Sequence, residues 1–125
     1  MAQAQPLTAS ITWNEDVNTT TGAANSVPST ATDGVAVNGS RGQVAHIAVE
    51  TTVSAGTVTS SPAVYGYSSK LGFWMRITTI TDVASTASEN TVTRIEDLAA
   101  FDRITVIQDD AIGGTGSVTL HIGLS

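Results

Sequence analysis

The sequence predicts an all-β fold: a single-domain antiparallel β-sandwich, jelly-roll or Ig-like, with a C-terminal β-hairpin. Three observations carry that prediction. Apolar and polar residues alternate with period two in several short runs, the pattern of strands with one buried face. Those runs recur roughly every ten residues with turn-forming clusters between them, the spacing of a sandwich or barrel. The third is composition: Thr occurs 20 times and Ser 13 times in 125 residues, which favours strand faces and loops over helices. The best helical stretch, residues 94–101, is too short to stand alone.

Taken in order, residues 1–10 read as an N-terminal arm, Gln-rich and with Pro6 denying a ladder donor, and residues 11–125 as one domain. Ser10–Trp13 is a short strand with Ile11 and Trp13 on one face. The Thr/Ser-rich stretch that follows, 14–33 and on to Asn38, is too long for an ordinary connection. It is therefore a functional loop, or it hides short strands such as 34–37. Gln43–Val53 is a strand with Ala45, Ile47, Val49 and Val53 on one face, broken by Gly56. Thr57–Ser61 begins the next element and Ala63–Tyr67 is a strand ended by the turn SSKLG. Phe73–Thr81 carries bulk on both faces, as a central strand or one facing a partner would. Residues 82–90 read as a small-residue loop, Thr91–Ile95 as a strand, and 95–100 as a turn. The closing stretch FDRITVIQDDAIGGTGSVTLHIGL alternates on both sides of GGTG and reads as a hairpin. Its core side is Ile104, Val106, Val118, Leu120 and Ile122, and Arg103, Thr119 and His121 face outward.

Charge and chemistry exclude several function classes. Five basic residues against eleven acidic ones give a net charge of −6, so no electrostatic footprint exists for nucleic acid. The absence of cysteine removes disulfides, thiolate metal sites and cysteine nucleophiles, so core packing or oligomerisation must stabilise the chain. Residues 1–10 lack a basic segment followed by an apolar one, and no window approaches ~18 apolar residues; the expectation is synthesis in the cytoplasm, no export signal and no membrane. Charged residues are 13% of the chain, about half the usual share. Hydroxyls and small residues must coat the surface, which suits packing against copies or exposure to a harsh exterior.

No catalytic constellation stands out. His46 and His121 fall on solvent-side strand positions without metal-ligand spacing. The pairs Glu15–Asp16, Glu96–Asp97 and Asp109–Asp110 are chain neighbours, whereas glycoside hydrolysis needs carboxylates opposed across a cleft and calcium needs oxygens wrapped by one loop. The GGTG run lacks the following helix and lysine of a phosphate loop, and no serine sits in a nucleophile elbow. The sequence therefore predicts no enzyme, no cofactor and no metal. Among the aromatics, Tyr65 and Tyr67 share a strand face that Trp74 can join, either as a glycan-stacking platform or as filling for the core or a subunit contact.

The order DGVAVNG, GFWMRI, LAAFDRITV and GTGSVTLHIGL, over roughly residues 34–125, resembles small all-β virion proteins of tailed bacteriophages: capsid decoration or cement, head-fibre and tail-accessory components. Residues 14–33 have no counterpart there. The resemblance implies a non-enzymatic virion protein, made in the host bacterial cytoplasm, that works through symmetric multivalent contacts. Its partners would be copies of itself, as in a trimer, and other virion proteins such as the major capsid protein. The alternative is a carbohydrate- or receptor-binding module of a tail or fibre, with a glycan as ligand. Candidate interface or ligand-contact residues are Trp74, Arg76, Tyr65, Tyr67, Arg103 and His121.

Overall fold

The computed structural model describes residues 11–125, excepting the side chains of Glu15 and Asp16; the predicted arm at 1–10 lies outside the described residues. The strands are β1 (Thr12–Thr20), β2 (Val35–Ala36), β3 (Ala45–Ser60), β4 (Pro62–Ser68), β5 (Phe73–Thr79), β6 (Val83–Ser85), β7 (Glu89–Ile95), β8 (Arg103–Gln108) and β9 (Gly113–Leu124), with one 3-10 turn at Gly39–Arg41.

All strand pairs are antiparallel and form two sheets. The first has the order β1-β9-β3, with β6 and β7 following one another along the free side of β3; the second has the order β2-β8-β4-β5. With β6 and β7 taken as one interrupted strand, this is the eight-strand order of a jelly roll, in which the chain passes repeatedly between the sheets. The expected all-β sandwich is therefore present, in its jelly-roll form.

The core follows from the period-two alternation. Ile47 lies opposite Ile122, Val49 opposite Leu120 and Thr51 opposite Val118, so β3 and β9 present one continuous apolar face. The second sheet answers with Val64, Ile104 and Val106, and each of these aliphatic side chains is at most 1% exposed. Each such side chain contributes about 1.5–3 kcal/mol by leaving water. The core side predicted for the closing stretch, Ile104, Val106, Val118, Leu120 and Ile122, is wholly buried.

The predicted C-terminal hairpin is corrected. β8 pairs with β2 and β4, while β9 pairs with β1 and β3, so the turn between them carries the chain from one sheet to the other. Alternation is identical for a hairpin and for such an arch, because both put every second residue in the core. The glycines of GGTG belong to β9 itself, and the connection is 109–112.

Other boundaries also move. Gly56 does not end β3, which runs on to Ser60 through register shifts between Val53 and Thr59; Gly56 absorbs the irregularity with φ of 70°. The bulky strand β5 is an edge strand rather than a central one, and its outer side meets a loop of its own chain. The stretch 82–90 contains β6 and the start of β7, and β1 reaches Thr20, inside the Thr/Ser-rich segment.

Candidate functional site

Five of the six candidate contact residues lie on the outer face of the second sheet. Tyr65 stands opposite Arg76 on β5 and Thr105 on β8, and Tyr67 opposite Trp74 and Arg103. The sixth, His121, is on the outer face of the other sheet, beside Ala48 of β3, with Nε2 3.5 Å from Glu50 Oε1.

This outer face is not open to solvent. Ala63, Tyr65, Thr105 and Ile107 are at most 7% exposed although they point away from the core. The connection from β1 to β2, residues 21–34, folds down against them, and the face grips it at three places. Arg103 donates from Nε to the Asp33 carbonyl (2.8 Å) and from Nη2 to the carbonyls of Thr32 (3.2 Å) and Gly34 (2.8 Å). Trp74 Nε1 donates to the Thr30 carbonyl at 2.7 Å, and the Trp74 ring packs on Tyr67 with centroids 5.5 Å apart. At the far end, Asn25 binds the backbone of Gln108 in both directions, its N–H reaching the Gln108 carbonyl (2.9 Å) and its Oδ1 accepting from the Gln108 N–H (2.7 Å). Asn18 Nδ2 donates to the Val106 carbonyl. Because β2 covers only Arg103 and Ile104 of β8, these two asparagines satisfy the backbone that a longer strand would have paired.

Arg76 completes the face. Its guanidinium binds both carboxylate oxygens of Asp109 at 3.1 Å, donates to Tyr65 Oη at 3.0 Å and lies 5.3 Å from the centre of the Tyr65 ring. The Asp109 carboxylate, and after it the Tyr65 hydroxyl, hold Arg76 above its ordinary pKa against the opposing effect of desolvation. Asp109, one of the chain-neighbour acidic pairs of the sequence, thus ties the end of β8 to β5. Glu96 is paired with Arg94. The side chains of Glu15 and Asp16 lie outside the described set. Among the described residues, no group of three His, Cys, Asp or Glu residues is placed to hold a metal ion, and no helix is long and apolar enough to cross a membrane.

Between the folded-back segment and the two sheets lies a cleft of about 570 Å³, lined by Asn14, Asn18, Asn25, Asp33, Thr105 and Ile107 among others. Much of its polar lining is already engaged. Asp33 Oδ2 accepts the backbone N–H of Thr30 (3.1 Å) and of Ser29 (3.2 Å), and Asn25 Oδ1 also accepts from Thr20 Oγ1 at 3.1 Å. Sequence reasoning missed Asn18, Asn25 and Asp33 as anchors. The available signal was the length of an Asn- and Asp-bearing stretch too long to be a mere connection.

Two predictions arise here. Arg103→Ala removes charge-assisted hydrogen bonds to three carbonyls, so amide exchange in residues 30–34 is expected to accelerate at least about tenfold, while β3 and β9 keep their protection. Arg103→Lys should rescue this only partly, since an ammonium lacks the planar fork. The second concerns acid. The Thr30 N–H, then the Thr30 hydroxyl and the Ser29 N–H, hold Asp33 below the ordinary 3.8. The Ser69 N–H, then its hydroxyl, do the same for Asp102. A carboxylate with a depressed folded pKa stabilises the fold above its unfolded value and loses that contribution as pH falls through the folded one. The melting temperature is therefore expected to fall as pH drops below about 4, and the double variant Asp33→Asn, Asp102→Asn should flatten that decline.

No protein-family model matches the chain, and no curated protein matches it. Among solved structures it matches a chain of the Bacillus endospore appendages, described as a novel family of disulfide-linked pili. The identity is 17%, over 98% of this chain and 95% of that one, with a TM-score of 0.34. A likeness at that level carries no argument about this chain, which has no cysteine.

Proposed function

We propose that the protein is a non-enzymatic structural subunit of a bacteriophage virion, a capsid decoration or coat-associated protein that acts through repeated, symmetric contacts with its own copies and with the major capsid protein. The observation that carries this reading is the outward display of large apolar side chains. Leu71 is 59% exposed, Phe73 52%, Val92 60% and Val27 54%, in a chain that holds only two Phe residues and 41% hydrophobic residues. Leu71 lies in the tight turn from β4 to β5 and Phe73 opens β5, where an apolar projection suits a protein contact. On the second sheet Arg103 and Trp74 hold the chain's own segment, and Arg76 binds Asp109. The resemblance of residues 34–125 to phage virion components supplies the particle.

The test is sedimentation velocity at micromolar concentration. A discrete homo-oligomer is expected, and a strict monomer would overturn the reading. Electron microscopy of phage particles bearing the labelled protein then addresses its place on the virion.

The cleft beside β8 favours a second reading, a glycan- or receptor-binding module, because asparagine and aspartate beside an apolar floor suit sugar hydroxyls. Saturable glycan-array binding that is lost in Asn14→Ala, a change in the lining of the cleft, while the melting temperature is kept would move the assignment there.

A further inference from the structure

We infer that β7 is a self-pairing edge: two copies join antiparallel along Glu89–Ile95 with Val92 at the centre, merging their first sheets into one. This rests on the oligomeric reading above and names the surface that such assembly uses.

The sandwich has four lateral edges; the fourth is broken at residues 86–88, between β6 and β7, and none of the other three offers a strand as regular as β7. β1 has a register shift between Asn14 and Asn18, β2 is two residues long, and β5 has a shift opposite Val64 and Tyr65. β7 differs. It pairs with β3 residue for residue from Ala45↔Ile95 to Thr51↔Glu89 without a shift. Its sequence, ENTVTRI, contains neither proline nor lysine. Its other side meets no strand among the described residues.

The sequence of this edge also fits itself. Full antiparallel overlap of the seven residues puts Val92 against Val92, Thr91 against Thr93, Asn90 against Arg94 and Glu89 against Ile95. No like charges meet. Val92 is the large apolar side chain of the strand's outward side, and at 60% exposure it gains most from a neighbour. Threonine pairs and opposed aliphatics are favourable cross-strand partners. Arg94 of the second copy would lie opposite Asn90, and Asn90 sits beside Glu50 on β3, so the incoming guanidinium meets an amide with a carboxylate beyond it. Within one copy, among the described residues, Arg94 pairs with Glu96, both well exposed, and such a pair holds its partner weakly.

The absence of native cysteine makes the register directly readable. In the wild-type background, Val92→Cys is expected to oxidise to a disulfide-linked dimer, because directly opposed residues bring their Cα atoms to about 4.5–5.5 Å, within the range a disulfide spans. Asn90→Cys alone should not cross-link, whereas a mixture of Asn90→Cys with Arg94→Cys should. Val92→Lys, placing a charge on the edge, should at least halve the sedimenting mass while the circular dichroism spectrum stays that of the folded chain. An oligomer that survives Val92→Lys with no Val92→Cys cross-link would overturn the self-pairing while leaving the oligomeric reading intact. Dispersal by Val92→Lys without the Val92→Cys dimer would also overturn it, pointing to a different strand on this edge. A monomeric wild type would overturn both.

Discussion

Gly34→Ala is expected to destabilise the fold by about 2–5 kcal/mol, read as a lower urea midpoint at unchanged slope. Two costs combine. Gly34 has φ of 69°, where a side chain costs ~1–2 kcal/mol. A Cβ would also run into the backbone carbonyl of Ile104 and lie 2.9 Å from Thr105 Cβ. The carbonyl of Ile104 is fixed in the middle of the second sheet, and the carbonyl of Gly34 itself is held by Arg103 at 2.8 Å, so neither partner yields cheaply. Gly22→Ala is the control: its φ is 93°, yet nothing lies within 4 Å of the added carbon. It should show the conformational cost alone, and the difference between the two variants measures how tightly the folded-back segment is seated on β8.

Leu120→Ala should cost about 2–5 kcal/mol. Leu120 is fully buried at the centre of β9, opposite Val49, within the cluster that includes Val64, Ile104 and Val106. It stands on a strand flanked by β1 and β3, so the backbone on both sides resists collapse into the space left behind. The neighbouring Thr119→Ala, on the outer face, should stay within about 0.5 kcal/mol. Equal losses in the two variants would mean that the sandwich interior does not dominate stability.

These residues also mark how far the sequence could be read. Leu120, Val118, Ile47 and Val49 were legible because alternation assigns them to one face regardless of which strand they pair with. Pairing itself was not legible: Ile104 and Leu120 show the same period whether β8 and β9 form a hairpin or an arch. A clue lay in RITVIQ, where Thr105 and Ile107 are buried on the side opposite Ile104 and Val106; such a two-sided strand needs a second cover. The cover is residues 21–34, whose anchors, Asn25 and the carbonyls of Thr30, Thr32, Asp33 and Gly34, act through backbone or short polar groups that leave no periodic trace. Tyr65 and Tyr67 were legible on one face that Trp74 can join, and alternation along β4, β5 and β8 puts Arg76 and Arg103 there too, whereas His121, a candidate alongside them, lies on the other sheet. Most of their polar groups turn inward to the protein's own chain, which depended on the course of a loop that periodicity does not describe.

The position of β9 has a consequence for how the molecule comes into being. β1 and β3 do not touch each other in the first sheet; each pairs with β9, which follows every other strand along the chain. During synthesis the first sheet therefore has no middle until its final residues emerge, and both strands must wait with open edges across separations of up to about a hundred residues. Closing loops of that length is slow. Refolding from denaturant should be correspondingly slow, and losses to aggregation should concentrate in the interval before β9 inserts.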